Sequence, residues 1–237
     1  MNIFMWSGPR NISTALMRSF ENRDDTQVID EPFYAYYLHK TKKNHPMKNE
    51  IIKKYLINEE KIINLIMKKP EKDKKIYYQK HMTHHILDIT QIDWIYNGVN
   101  CFLIRDPLEV INSYSKKNSL ETSYDIGYPS LLKIFNKLKL SNKETVVINS
   151  KDLLNSPKKV LKKLCNKINI DFDNKMINWP KGARSTDGIW SSVWYESVKK
   201  SSNFGKYVKN TEPLPSKFKY IYDECLEIYN LINKYKI

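Results

Sequence analysis

The sequence predicts an α/β domain with a central, mostly parallel sheet of about five strands flanked by helices. Three observations predict it. Short apolar runs rich in β-branched and aromatic residues recur along the chain, with helical patterns between them. Several of these runs are continuous rather than alternating, as in parallel strands buried on both faces. The 237 residues, 41% of them hydrophobic, suffice for one core, so residues 1–237 are read as one domain.

The strand candidates, in order, are Asn2–Trp6, Gln27–Ile29, Lys75–Gln79, Val99–Ile104 and Thr145–Ile148. A helical pattern over Ile12–Asn22 lines up Ile12, Leu16 and Phe20. Pro107–Lys117 opens with a first-turn proline, continues with Glu109, and keeps Val110 and Tyr114 on one face. Ser156–Asn166 has a serine cap and Pro157, then Val160, Leu161, Leu164 and Cys165. A final amphipathic helix over about Ser216–Lys234 carries Phe218, Ile221, Tyr222, Leu226, Tyr229 and Leu231. Residues 40–74 break the rhythm: they are Lys-rich, with helical patterns at Ile51–Tyr55 and Ile62–Met67. They read as a helical insert over the core, either part of a substrate lid or plain surface helices.

Charge is lopsided, with 40 Lys+Arg against 26 Asp+Glu and a formal net charge of +14. That balance suits polyanionic partners, but the lysines are scattered among Asn and Ile, which equally fits biased composition. Cys101, Cys165 and Cys225 are far apart, and no Cys/His metal spacing occurs. Reduced thiols, no metal, no membrane partner and a cytoplasmic location are expected.

The first turn, "SGPRNIST", leads from the first strand into the first helix. Backbone N–H groups at such a helix start form an anion site with the Ser13 and Thr14 hydroxyls. Arg10 adds forked donors and Asn11 an amide. The Walker A pattern is absent, since no Gly–Lys precedes Ser13 or Thr14. Farther on, "CFLIRDPLEVINSYSKK" sets Arg105 directly after the fourth strand, at the carboxyl end of the sheet where open α/β folds bind ligands. Ser113, roughly two turns along the next helix, could add a hydroxyl to the same anion.

With these two loops in this order, the chain resembles the sulfotransferase family that uses 3′-phosphoadenosine 5′-phosphosulfate (PAPS). The family's P-[KR]-S-G-[ST]-[ST] loop is matched by Pro9, Arg10, Asn11, Ile12, Ser13 and Thr14, with Asn11 and Ile12 in place of Ser and Gly. Its R-[DN]-P-x-x-[VA]-x-x-S motif is matched by Arg105, Asp106, Pro107, Val110 and Ser113. A later D-L-x-x-x-P segment corresponds to Asp152, Leu153 and Pro157. The resemblance covers about residues 2–200. It implies a three-layer sandwich like that of P-loop NTPases, with Arg10 to Thr14 holding the 5′-phosphosulfate and Arg105 with Ser113 holding the 3′-phosphate. By weaker likeness, "KGARSTDGIWSSVWY" corresponds to the loop that closes on the nucleotide, giving Lys181, Gly182 and Arg184 as further binding candidates. Isoleucine excludes the φ > 0 backbone that glycine allows, so Ile12 is expected to wrap the phosphosulfate less closely.

Sulfuryl transfer is a loose in-line displacement that depends on positioning and charge stabilisation. Arg10 is the candidate for the charge on the bridging oxygen. Two groups are candidates for the base. Glu31 follows the second strand in "VIDEPFYAYY", and an ion pair with Arg10 is its plainer alternative. Lys80 and His81 follow the third strand in "YYQKHMTHHI", one residue short of the K-x-H spacing of cytosolic family members; His81 would be the base and Lys80 an auxiliary cation. Trp179, Trp190, Trp194 and Tyr195 could stack on adenine, line the acceptor pocket or simply pack the core. The reading is sulfuryl transfer from PAPS to a hydroxyl or amine of a small acceptor. Two alternatives stay open. One is a nucleotide-dependent phosphotransferase, which the absent Gly–Lys opposes. The other is a non-catalytic basic nucleic-acid-binding protein, which only the net charge favours.

Overall fold

In the computed structural model, which describes residues 1–237, β1 (Asn2–Ser7) lies at the centre of a five-stranded sheet. The others are β2 (Thr26–Asp30), β3 (Ile76–Met82), β4 (Val99–Ile104) and β5 (Thr145–Asn149). Their order is β2-β3-β1-β4-β5 and every pairing is parallel. Register pairs Ser7 with Met82 and Leu103, and Asp30 with Lys80, so all strands end together on one rim. The chain leaves β1 towards β3 and β2 on one side, then returns to β4 and β5 on the other. That reversal opens a crevice beyond the carboxyl end of β1.

Eleven helices surround the sheet. α1 (Ser13–Glu21) follows β1, and α2 (Tyr34–Thr41) follows β2. α3 (Lys48–Lys54) and α4 (Glu59–Ile66) occupy the Lys-rich stretch. α5 (Pro107–Tyr114) and α6 (Tyr128–Leu140) connect β4 to β5. Then come α7 (Ser150–Asn155), α8 (Pro157–Lys167), α9 (Ser191–Trp194), α10 (Glu196–Lys200) and α11 (Lys219–Asn233). No helix is long and apolar enough to cross a membrane.

The period-two geometry of the strands divides the core into two layers. Phe4 and Trp6 of β1 join Phe102 and Ile104 of β4 under α4, α6 and α11. Ile3 and Met5 join Cys101 and Leu103 on the opposite face, under Leu16, Met17 and Phe20 of α1 and Val160, Leu161 and Leu164 of α8. The chain is therefore α/β with a parallel sheet between helical layers, as the apolar runs predict. A smaller cluster joins Tyr34, Tyr37 and Leu38 of α2 to Ile51 of α3 and to Trp190 and Tyr195. This third cluster stands at the carboxyl rim, beside the crevice.

Candidate functional site

The crevice holds a cavity of about 330 Å³. Arg10, Asn11, Ile12, Ser13 and Thr14 form one wall. Gly8 starts this loop because a Cβ there would stand 2.4 Å from the Ile126 carbonyl oxygen. Ile12 caps α1 with no side-chain hydrogen bond, leaving the first N–H groups of the helix open. Its backbone is left-handed, φ 58° and ψ 18°, and Arg10 is left-handed as well, φ 63°. This overturns the expectation that isoleucine would refuse that conformation. A β-branched residue there stores on the order of 1–3 kcal/mol of strain, which persists only when its surroundings over-determine it. Here the Ile12 side chain packs on the α1 layer of the core, which holds the turn. Asn11 is 2% exposed, and its buried Oδ1 has no partner.

The second loop meets the first. The Arg105 guanidinium donates from Nη1 to the Arg10 carbonyl oxygen (2.7 Å) and from Nε to Glu109 (2.7 Å). Tyr207 donates to the other Glu109 oxygen at 2.6 Å, fixing the carboxylate. Arg10 donates from Nε to Ser113 Oγ at 2.8 Å and makes no ion pair with any carboxylate. Arg105 is thus half-neutralised and Arg10 is not. Both line the cavity, whereas Ser113 stands behind Arg10.

Glu31 and Lys80 form the opposite wall. Asp30 ends β2, and the next residue turns sharply, with Glu31 at φ 46° and its N–H on the Lys80 carbonyl (2.9 Å). Lys80 donates to Asp30 Oδ1 (2.9 Å), Glu31 Oε1 (2.6 Å) and the Tyr195 hydroxyl (2.6 Å). An ammonium has three donors, and all of them are committed. Burial opposes the charge on Lys80, but Asp30 and Glu31 outweigh it and hold its pKa above the ordinary value. Burial and then the neighbouring Asp30 lift the Glu31 carboxyl above its ordinary range, against the pull of Lys80. Glu31 does not pair with Arg10; its partner is Lys80.

His81 is not brought to the cavity. Residues 80 and 81 lie inside β3, not beyond it, so the two side chains point to opposite faces. His81 is 1% exposed, 4.6 Å from the Trp6 ring and 5.3 Å from Trp94, with Nε2 on Gln79 Oε1 (3.1 Å). Burial pushes its pKa down to about 3. The adjacency that departs from the K-x-H spacing has this consequence: only one of the two can face the site.

Lys181, Gly182 and Arg184 also lie outside the cavity wall. Their loop is fastened to the far end of α1, about 12 Å from the helix start. Arg18, 1% exposed, pairs with Asp187 (2.7 Å) and Glu21 (3.0 Å), and Thr186 donates to Glu21. The C-terminal contribution comes instead from Ser197, Val198, Ser201, Asn203 and Phe204. The signal in the sequence is "KSSNFGK", a run of small polar residues, lysine and a left-handed Gly205 (φ 70°) just after α10.

The remaining wall is aromatic: Trp194, a pocket candidate in the sequence, stands with Tyr34, His45, His84, His85 and Tyr114. His85 stacks on Tyr34 (4.6 Å, 5°) and on Tyr37 (5.0 Å, 30°). Burial pushes His84 down to about 3 and His85 well below its ordinary value, so both stay neutral. Tyr34 bonds His45 Nδ1 at 2.9 Å. One end of the cavity is therefore cationic, the other uncharged, with a raised carboxylate between them.

The profile of a family described as "Sulfotransferase domain" matches residues 1–231. The chain is 32% identical over 230 residues to "Branched-chain-amino-acid aminotransferase-like protein 2" of Arabidopsis thaliana, covering 97% of this chain. It is 31% identical over 233 residues to the like-named protein 1 of the same plant. The chain spans 41% and 42% of the length of these curated relatives. Among solved structures, the sulfotransferase domain of a Synechococcus olefin synthase superposes with TM-score 0.64 at 17% identity, covering 97% of this chain and 94% of that one. A mouse sulfotransferase solved with 3′-phosphoadenosine 5′-phosphate (PAP) gives 0.50 at 15% identity, covering 98% and 85%.

Proposed function

The chain belongs to the sulfotransferase family, and from that premise we propose that it moves a sulfuryl group from PAPS to a hydroxyl or amine of a small acceptor. One observation carries the reading: the two arginine loops meet at one cavity, and Glu31 lines the same cavity. The residues fit the donor. Arg10 is a cation with no carboxylate partner, and α1 presents open N–H groups. These would hold the phosphosulfate, with Arg105 holding the remaining phosphate. The donor supplies an activated sulfuryl group whose transfer needs less charge cancelled than a phosphoryl group does.

In the proposed mechanism Arg10 and the start of α1 meet the charge that develops on the phosphate as the sulfur–oxygen bond opens. Glu31 takes the acceptor proton, its pKa raised by burial towards that task. The aromatic wall of Tyr34, Tyr114 and Trp194 excludes water and orients an uncharged acceptor. Lys80 serves Glu31 rather than the donor, because its N–H groups are committed.

Calorimetry with PAP tests the reading. Binding tighter than millimolar that is weakened by Arg105→Ala is the expected result. No binding at millimolar PAP, or unchanged affinity in the variant, overturns it.

A further inference from the structure

Three charges lie almost sealed beneath the cavity. Side-chain exposure is 1% for Lys80, 1% for Asp30 and 11% for Glu31. Such a cluster survives only when every member is paired and hydrogen-bonded. Tyr195 completes it. The phenol has one proton, and its acceptors are Asp30, 2.7 Å from Oδ2 and 2.9 Å from Oδ1, and Glu31 Oε1 at 3.3 Å. The same oxygen accepts from Lys80 Nζ (2.6 Å) and Trp190 Nε1 (3.2 Å). The Gly188 N–H adds a contact to Asp30 Oδ2 at 3.3 Å. Glu31 is held by one oxygen: Oε1 takes Lys80 at 2.6 Å and lies 3.3 Å from the Tyr195 hydroxyl. Its Oε2 has no protein partner, and Glu31 lines the cavity.

We propose that Asp30, Lys80 and Tyr195 form a positioning frame that pins Glu31 Oε1, so that Oε2 alone meets the acceptor and takes its proton. The catalytic part of this rests on the sulfotransferase reading above. In the step, the acceptor oxygen forms its bond to sulfur while its proton passes to Glu31 Oε2. The bond from sulfur to the donor phosphate breaks, and its electron pair leaves on the phosphate oxygen. Lys80 gives up no proton; it keeps Oε1 occupied. Tyr195 directly precedes α10, so the frame is complete only when the segment ending in the Ser201–Phe204 wall is seated.

The frame has a titration signature. The groups facing Glu31 are Asp30 at the end of β2, Lys80 from β3, Tyr195 after α9 and the Tyr34 hydroxyl from α2. Asp30 repels the charged Glu31 carboxylate, while Lys80 and the Tyr195 hydroxyl stabilise it. Asp30→Asn therefore moves the Glu31 midpoint down, and Tyr195→Phe moves it up.

The measurement is infrared titration of the ligand-free protein, with the Glu31 carboxyl band identified as the one lost in Glu31→Gln. Midpoints shifting in those opposite directions are the expected result; wild-type midpoints in both variants overturn the frame. Should Asp30→Asn fail to fold, Tyr195→Phe alone decides, by its upward shift or its wild-type midpoint. In sulfuryl transfer from PAPS to a panel of small alcohols, phenols and amines, Tyr195→Phe is expected to lose roughly tenfold or more in kcat at unchanged PAP affinity. Retention of wild-type kcat counts against the frame. Failure of the wild-type protein to bind PAP defeats the donor reading instead, and leaves the titration to judge the frame.

Discussion

Arg10 Nε donates to Ser113 Oγ across 2.8 Å, joining the loop after β1 to α5 between residues 103 apart in the chain. The bond explains how a serine outside the cavity wall can still matter for an anion: it aims the arginine. Arg10→Ala is expected to weaken PAP binding by about 1.5–3 kcal/mol, the worth of a charge-assisted hydrogen bond. Ser113→Ala should cost about 1 kcal/mol alone and little on the Arg10→Ala background. A double-mutant cycle by calorimetry checks this; full additivity would separate the two residues.

Glu31→Gln should lower kcat by about 10²–10⁴ while PAP affinity holds. His81→Phe should leave kcat near wild type, because the imidazole is packed against Trp6 and Trp94 on the opposite face of the sheet. Turnover assays of the two variants rank the candidates directly.

The base must be deprotonated to act, and burial raises the Glu31 pKa. Activity should therefore fall on the acid side at a pH above the ordinary carboxylate range, and recover as the pH rises through the Glu31 midpoint. His84 and His85 are held neutral by burial and contribute no step near neutrality. A kcat–pH profile whose acid limb persists unchanged in Glu31→Gln would contradict the assignment.

Ile12→Gly should relieve the left-handed strain at φ 58°. The gain, about 1 kcal/mol in the folded state, is partly offset by the added freedom of glycine in the unfolded chain. Denaturation is expected to show equal or higher stability, with PAP affinity equal or tighter. A clear loss of stability would mean that the packing of Ile12 outweighs its strain.

Asp187→Asn leaves Arg18 buried without its main counter-charge and should cost about 3–5 kcal/mol. Arg184→Ala, in the same loop, should leave PAP affinity unchanged, since the loop is fastened to the far end of α1. Thermal unfolding and calorimetry together separate a structural latch from a ligand contact.

Much of the sheet is legible in the sequence because its strands are apolar runs: Val99–Ile104 is both predicted and observed. β3 is the instructive failure. The predicted strand stops at Gln79, yet β3 continues through Lys80 and His81 to Met82, all buried. Hydropathy ends a strand where polar residues begin, but these polar residues are paired inside the fold, and only the pairing explains them. α2 was hidden for a related reason: the aromatic-rich "YAYYLHKT" buries Tyr34, Tyr36 and Tyr37 on several sides and shows no polar stripe. The anion loops could be read because their chemistry is local in sequence. The Tyr195 contact could not, because it joins positions 165 residues apart.

The committed ammonium of Lys80 also makes it an internal gauge. Acetic anhydride modifies amines that can shed a proton and be reached, and Lys80 is 1% exposed with its pKa held high. Among the many surface lysines, it should be the last to acquire an acetyl group. Its labelling rate, read by peptide mass spectrometry, would then report how often the segment carrying Tyr195 lifts away from the rest of the molecule.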